Sequence, residues 1–339
     1  MTRTEPTTVT ELLARGLAAG EAASAVNADF RIYSLPPKRV NRLRILLGIA
    51  DETRTTVVPR PFAHATPPAA LHPGPGDGLE WFTFSALQHR AFRRSGQSEA
   101  RTEAWTELAQ LDPPIRSRIG TRIALTNLRN GLRPPQSGQD NPHYFDDIAM
   151  VRALAAVGEY AVDAASAVDA AVADAQITHS QDGLWCARAT AVLFIALLDG
   201  AAPADAVARA VDSLPAGSWS RRVAETSLAV AAESRGALDR ARRLSVEVGD
   251  WIYSYPIAAP ETLGFLLAHI ASASTADELL LGALAQPRNA AALPALAGAA
   301  AAVVFGTEWM PEALRWQPLV LTGLCIPNFA GRSVEDLLS

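Results

Sequence analysis

The chain has 339 residues, is 49% hydrophobic and carries a formal net charge of −5 with a pI near 5.7. Such a composition supports a sizeable core and excludes wholesale disorder, and the acidic balance argues against a protein that grips a nucleic-acid backbone. Lys38 is the sole lysine, so Schiff-base chemistry is all but excluded.

Cys186 and Cys325 lie far apart and match no metal-ligand spacing, and no disulfide framework is implied. Met1–Thr10 lacks the apolar stretch of a secretion signal. Ala290–Phe305 is too short and too interrupted by Pro294 and Gly298 for a membrane span, which needs about 20 apolar residues. The expectation is a soluble cytoplasmic protein with no membrane partner.

In chain order, Thr8-x-x-Glu11 has the form of a capping box, and Leu12, Leu13 and Leu17 follow on one face. Tyr33–Pro37 is a break. A helix is expected over 40–50, then a loop from Pro59 to Gly78 where prolines and glycines accumulate. Leu79–Arg94 is helical by spacing, as is the stretch around Trp105, Leu108 and Leu111, which Asp112-Pro113-Pro114 stops. Ile115, Ile119 and Ile123 start another helix, with Gly131 at its C′ position. A second loop, Leu132–Tyr144, precedes helices near 147–157, 160–175, 183–199, 203–214, 219–234, 237–248, 260–270, 275–285 and 290–305. Thr55–Val58 is the nearest thing to a strand and is short. The fold class is therefore all-α, in one domain.

Several fragments together resemble the ADP-ribosylglycohydrolase family. Asn289-Ala290-Ala291-Ala292-Leu293, the alanine-rich helix ending Phe305-Gly306, and Trp309 are similar to that family's C-terminal signature, in which Gly-Gly-Asp-x-Asp-Thr opens a helix ending in Tyr-Gly. Leu43–Ala50 is similar to its opening Arg-Gly-Ala-Leu-Leu-Gly-Leu-Ala, although Asp51-Glu52-Thr53 replaces Val-Gly-Asp. Glu80-Trp81-Phe82-Thr83 lies where the family has Thr-Asp-Asp-Thr, and only Thr83 matches. Asp147–Arg152 aligns with Asn-Gly-Ala-Ala-Met-Arg, and Thr178-His179 resembles the family's Thr-His element.

The resemblance implies a single-domain orthogonal multi-helix bundle over 40–316, preceded by an extension at 1–39 with one helix and followed by a tail at 317–339 packed on it. It also implies what is missing. The family holds two Mg²⁺ ions with oxygens from its two aspartate motifs and cleaves ADP-ribose at the anomeric carbon. Here the aligned positions carry Trp81, Phe82, Asn289 and Ala291, with Ala292 on the threonine. Mg²⁺ gives up water reluctantly and needs near-octahedral oxygen ligands, and facing indole and phenyl groups would cost it several kcal/mol or more. No metal and no cofactor are expected.

Glu80 is read either as partial compensation near that site or as a residue favourable to the helix dipole. Trp81, Phe82, Tyr144 and Phe145 either line an aromatic cleft with Thr83, Arg152 and Asn289, or plug the vacated space as core. Asp146 or Asp147 caps a helix; either could pair with His179 as acid and base near neutral pH. Arg152 is expected in an internal ion pair, with Asp147 as one partner. The remaining histidines have no zinc spacing, and the paired arginines such as Arg93-Arg94 read as solvated faces. Three functions follow, in falling order: a degenerate, non-catalytic relative that binds a nucleotide-like or other small ligand or a protein; a metal-independent enzyme working on a small molecule in the remodelled cleft; and an ADP-ribosyl hydrolase with an unorthodox site.

Overall fold

A computed structural model describes residues 8–28, 48, 52, 76–96, 99–112, 114–249 and 255–339. The expected break at Tyr33–Pro37, the helix over 40–50 except Gly48, the strand-like Thr55–Val58 and most of the Pro59–Gly78 loop lie outside them. No strand forms among the described residues, where β structure is limited to isolated antiparallel bridges between Asp146 and Ala258 and between Val320 and Ser333.

The helices are α1 (Val9–Ala28), α2 (Asp77–Ser95), α3 (Glu99–Ala109), α4 (Ile119–Arg129), α5 (Gln136–Gln139), α6 (Ile148–Glu159), α7 (Ala164–Ala175), α8 (Gln181–Leu198), α9 (Pro203–Asp212), α10 (Trp219–Ala232), α11 (Ala237–Glu247), α12 (Ala259–Ser272), α13 (Ala276–Ala285), α14 (Ala292–Phe305), α15 (Glu312–Trp316) and α16 (Val334–Leu337). α6 is apolar but for Arg152 and Glu159, and every residue in it but Gly158 is buried. Such a helix has no face to give to solvent, and α6 is accordingly wrapped by α1, α2, α7 and α8. α12 plays the same part at the other end, buried from Ala259 to Ile270 among α8, α10 and α14. α8 is long and apolar enough to cross a membrane, but its surface is mostly buried inside this bundle.

Small residues set the closest packing. A Cβ on Gly20 of α1 would lie 1.9 Å from the Pro294 carbonyl oxygen, and one on Gly298 of α14 would lie 2.2 Å from the Gly16 oxygen. Three glycines thus let two helix backbones touch. α1 is thereby built into the bundle rather than laid over it.

Local signals worked where they were short-range. The Thr8 hydroxyl accepts the Glu11 N–H at 3.1 Å, while the Glu11 carboxylate turns to Arg15. Gly131 takes φ +89° and closes α4, with the Leu132 N–H reaching back to the Asn127 oxygen. α4 starts at Ile119 rather than at Ile115. Pro114 has no N–H, and Arg118 is extended (φ −65°, ψ 161°), which turns its guanidinium into the interior. One turn of helix, α5, also forms inside the loop expected over 132–144.

Candidate functional site

The starts of α6 and α12 are brought together by backbone. Asp146 bridges to Ala258, and the Ala259 N–H donates to the Phe145 oxygen at 2.8 Å. This places Asp146, Asp147 and Thr262 around one buried point, to which Asn289 is added from the turn before α14. Asn289 sits at φ +59°, a left-handed conformation that asparagine tolerates better than most residues, and its Nδ2 donates to Thr262 Oγ1 (2.7 Å) and to the Ala258 oxygen (3.2 Å).

Thr262 passes its own proton to Asp147 Oδ2 at 2.7 Å. The other Asp147 oxygen accepts from Arg118 Nη1, and Arg118 also grips Asp77 through Nε–Oδ2 at 3.0 Å and Nη2–Oδ1 at 3.2 Å. A guanidinium presents a planar fork of five donors, so it can serve two carboxylates at once. All five side chains are buried, Arg118 being the most exposed at 7%. Close by, Glu21 accepts the N–H groups of Gly76, Gly78 and Leu79 at the start of α2. Burial and the neighbouring Asp77 charge outweigh those bonds and push its carboxyl up to about 8.

A second buried chain runs from α7 to Asp146. Arg152 donates from Nε to Asp174 Oδ2 (2.7 Å) and from Nη2 to Thr178 Oγ1 (2.8 Å). Thr178 Oγ1 stands 2.6 Å from His179 Nδ1, and His179 Nε2 stands 2.9 Å from Asp146 Oδ1. The arginine can only donate. The Thr178 oxygen accepts from it, and its hydroxyl links Arg152 to His179 and so to Asp146. Burial would raise the Asp146 carboxyl, but the His179 ring, then Arg118 and the Ile148 N–H, outweigh it and hold it below the usual range. Asp146 Oδ2 is buried and without a partner among the described residues.

Half-buried aromatics flank this point. Tyr144 and Phe145 meet edge to face at 5.1 Å, Phe145 and Trp219 at 5.3 Å, and His143 and Tyr255 at 5.8 Å. Asp182 of α8 fixes the start of α10 beside them by accepting both the N–H (2.8 Å) and the hydroxyl (2.5 Å) of Ser220.

The expected residues therefore divide. Asp146, Asp147, His179 and Asn289 converge, and Tyr144 and Phe145 stand at their edge. The partner of His179 is Asp146, while Asp147 is committed to Arg118 and Thr262. Arg152 does enter an internal ion pair, but with Asp174 rather than Asp147, because its side chain leaves α6 on the α7 side and lies 4.8 Å over the Trp105 ring. Capping falls to Asp146, whose Oδ1 accepts the Ile148 N–H at 3.2 Å.

The α2 group lies elsewhere. Trp81 is stacked on Trp105 at 5.2 Å, Phe82 is fully buried, and Thr83 bonds back to the Leu79 oxygen. Of the two readings left open for Trp81 and Phe82, core plug is the one their burial matches. Glu80 is buried and committed: its carboxylate accepts from Thr322 Oγ1 and from the N–H groups of Leu324, Cys325 and Ile326 at 2.7–3.1 Å. Arg118, Asp77, Thr262 and Asp174 were not singled out from sequence. Each is isolated along the chain, and a lone arginine after a proline pair carries no local signal.

The all-α array and its paired helix starts define a class of fold, and comparison with known proteins gives that class a family. The model of the ADP-ribosylglycohydrolase family matches residues 78–337, and the chain belongs to that family. Among solved structures, an ADP-ribosylglycohydrolase-related protein complex is similar at TM-score 0.54 and 18% identity, covering 91% of this chain and 92% of that one. At this identity the likeness concerns the fold. No curated protein matches the chain.

Proposed function

We propose that this chain is a degenerate ADP-ribosylglycohydrolase-like protein without a binuclear magnesium centre, which binds a nucleotide-like or other small ligand, or a protein partner, without cleaving it. The observation that carries the reading is Arg118. Its guanidinium is already committed to both Asp77 and Asp147, so neither carboxylate is left free for a metal. The remaining Asp147 oxygen accepts from Thr262, and Asn289 turns its amide N–H toward the same hydroxyl. A dication added here would meet a fixed positive charge and an N–H donor where it needs anionic oxygen. The residues present do not fit a magnesium pair.

The experiment is a metal analysis of the purified protein alongside an ADP-ribosyl-arginine cleavage assay in magnesium. Substoichiometric metal and no turnover are expected. Two equivalents of bound magnesium with turnover would overturn the reading.

A second reading rests on a different observation, the Asp146–His179 contact at 2.9 Å with the spare Asp146 oxygen beside an aromatic rim. On this view the cleft supports metal-independent chemistry on a small molecule, Asp146 accepting a proton and His179 holding and relaying it. Asp146→Asn and His179→Gln would then abolish formation of a product that the wild type makes.

A further inference from the structure

The C-terminal ends of α2 and α6 border an open surface pocket of about 430 Å³ lined by Arg90, Arg93, Arg94 and Glu159. It lies apart from the Asp146–Asp147 networks, and nothing in the reading above uses it. Its one carboxylate is already committed inward: Glu159 Oε1 accepts from Thr10 and Oε2 from Arg90 Nε at 2.8 Å. The Glu159 backbone oxygen accepts from Arg93 Nη1 at 2.5 Å, and the Arg93 guanidinium lies 5.5 Å over the Tyr160 ring. These contacts hold Arg90 and Arg93 in place while using one nitrogen of each. Arg94 is exposed and makes no hydrogen bond or ion pair among the described residues.

Three guanidiniums against one carboxylate leave a formal charge of +2 around this space (3 − 1), in a protein whose net charge is −5. Guanidinium forks match the oxygens of a phosphoryl group in geometry and in charge. We propose that this arginine-lined pocket is a binding site for a phosphoryl group, carried either by a small phosphate compound or by a phosphorylated side chain. Arg93 and Arg94 supply the free donors, and Arg90 is held by Glu159 as a fixed wall.

The test is calorimetric titration of the full chain at low salt with inorganic pyrophosphate and, separately, with a phosphoserine peptide. Saturable binding of at least one is expected, the tighter of the two identifying the source of the phosphoryl group. Arg93→Ala/Arg94→Ala should weaken it about tenfold or more. Arg94→Ala alone, which removes no internal bond, should weaken it in the same direction, and exposed Arg209→Ala on α9 should leave it unchanged. No saturable heat with either probe, or equal affinity in the double variant with its helical circular dichroism intact, overturns the proposal.

Discussion

Arg118 holds Asp147 from the same guanidinium that grips both oxygens of Asp77, so that α2, the entry to α4 and the entry to α6 share one buried cation. Removing one partner of such a cluster leaves the others as uncompensated buried charges, which costs about 3–5 kcal/mol. Arg118→Met should therefore lower unfolding free energy by about that amount in urea at neutral pH. Adding Asp77→Asn and Asp147→Asn to that variant should restore much of the loss, because no net charge is then stranded. A loss under about 1 kcal/mol for Arg118→Met would mean the cluster is not the anchor described here.

The turn at residues 322–326 is held by one buried acid. Glu80, 1% exposed, receives four donors from Thr322, Leu324, Cys325 and Ile326. Arg15 ties the chain on either side of it through Glu335 and the Leu314 and Gln317 oxygens. Glu80→Ala leaves buried N–H groups without acceptors, each costing about 1–3 kcal/mol. Amide hydrogen exchange at residues 324–326 should accelerate well before the helices around α6 are affected. Uniform acceleration across the whole chain would instead mark Glu80 as part of the global fold.

What the chain revealed in one dimension, and what it hid, follows from the range of each interaction. Thr8 and Gly131 could be read because a cap and its target lie within a few residues. The helix over 290–305 could be read because its alanine and aliphatic run is continuous. Asn289 is expected beside the cleft because the helix after it keeps the family's alanine-rich pattern, and it does meet Thr262, the hydrogen-bond partner of Asp147. Arg118 and Glu80 could not be read. Their partners lie 29 to 246 residues away, and an arginine or glutamate at a helix entry has the same local signature whether it meets solvent or a buried ligand. Arg152 shows the intermediate case: its burial in an ion pair was legible, whereas its partner was decided by which neighbour α6 faces.

Stability should peak near pH 6.5. His89 and His269 are pressed down to about 4 and about 3, chiefly by burial, with Arg240 beside His269 adding to it. Below the unfolded value of 6.5 the unfolded chain takes up protons that the native state refuses, so each histidine removes about 1.4 kcal/mol per pH unit on acidification. Glu21 works the other way. Its carboxyl is raised to about 8, so between 4.5 and 8 the unfolded chain loses a proton the native state keeps, and stability falls as pH rises. Two histidines outweigh one glutamate below pH 6.5, and above it Glu21 acts without them. Urea unfolding from pH 5 to 8 reads both limbs, and Glu21→Gln should flatten the alkaline one. Unchanged slope there would refute the assignment.

The contact between Gly20 and the α14 backbone gives the sharpest structural test. A methyl group at position 20 would sit 1.9 Å from the Pro294 oxygen and 2.9 Å from the Ala295 Cα. Both obstacles are backbone in a buried helix, so neither can rotate away as a side chain could. Gly298 has the same constraint from the opposite side, 2.2 Å from the Gly16 oxygen. Gly20→Ala gains helix propensity of about 1 kcal/mol, which would stabilise an exposed helix. Here the forced separation of α1 from α14 should dominate, at about 3 kcal/mol or more, and the melting temperature should fall. Because Glu21 is the next residue, moving α1 also pulls its carboxylate from the Gly76, Gly78 and Leu79 N–H groups at the start of α2. Gly48→Ala, with nothing within 4 Å of the added carbon among the described residues, is the matched control and should leave the melting temperature nearly unchanged. An equal or higher melting temperature for Gly20→Ala would mean that α1 is not seated on α14 as described.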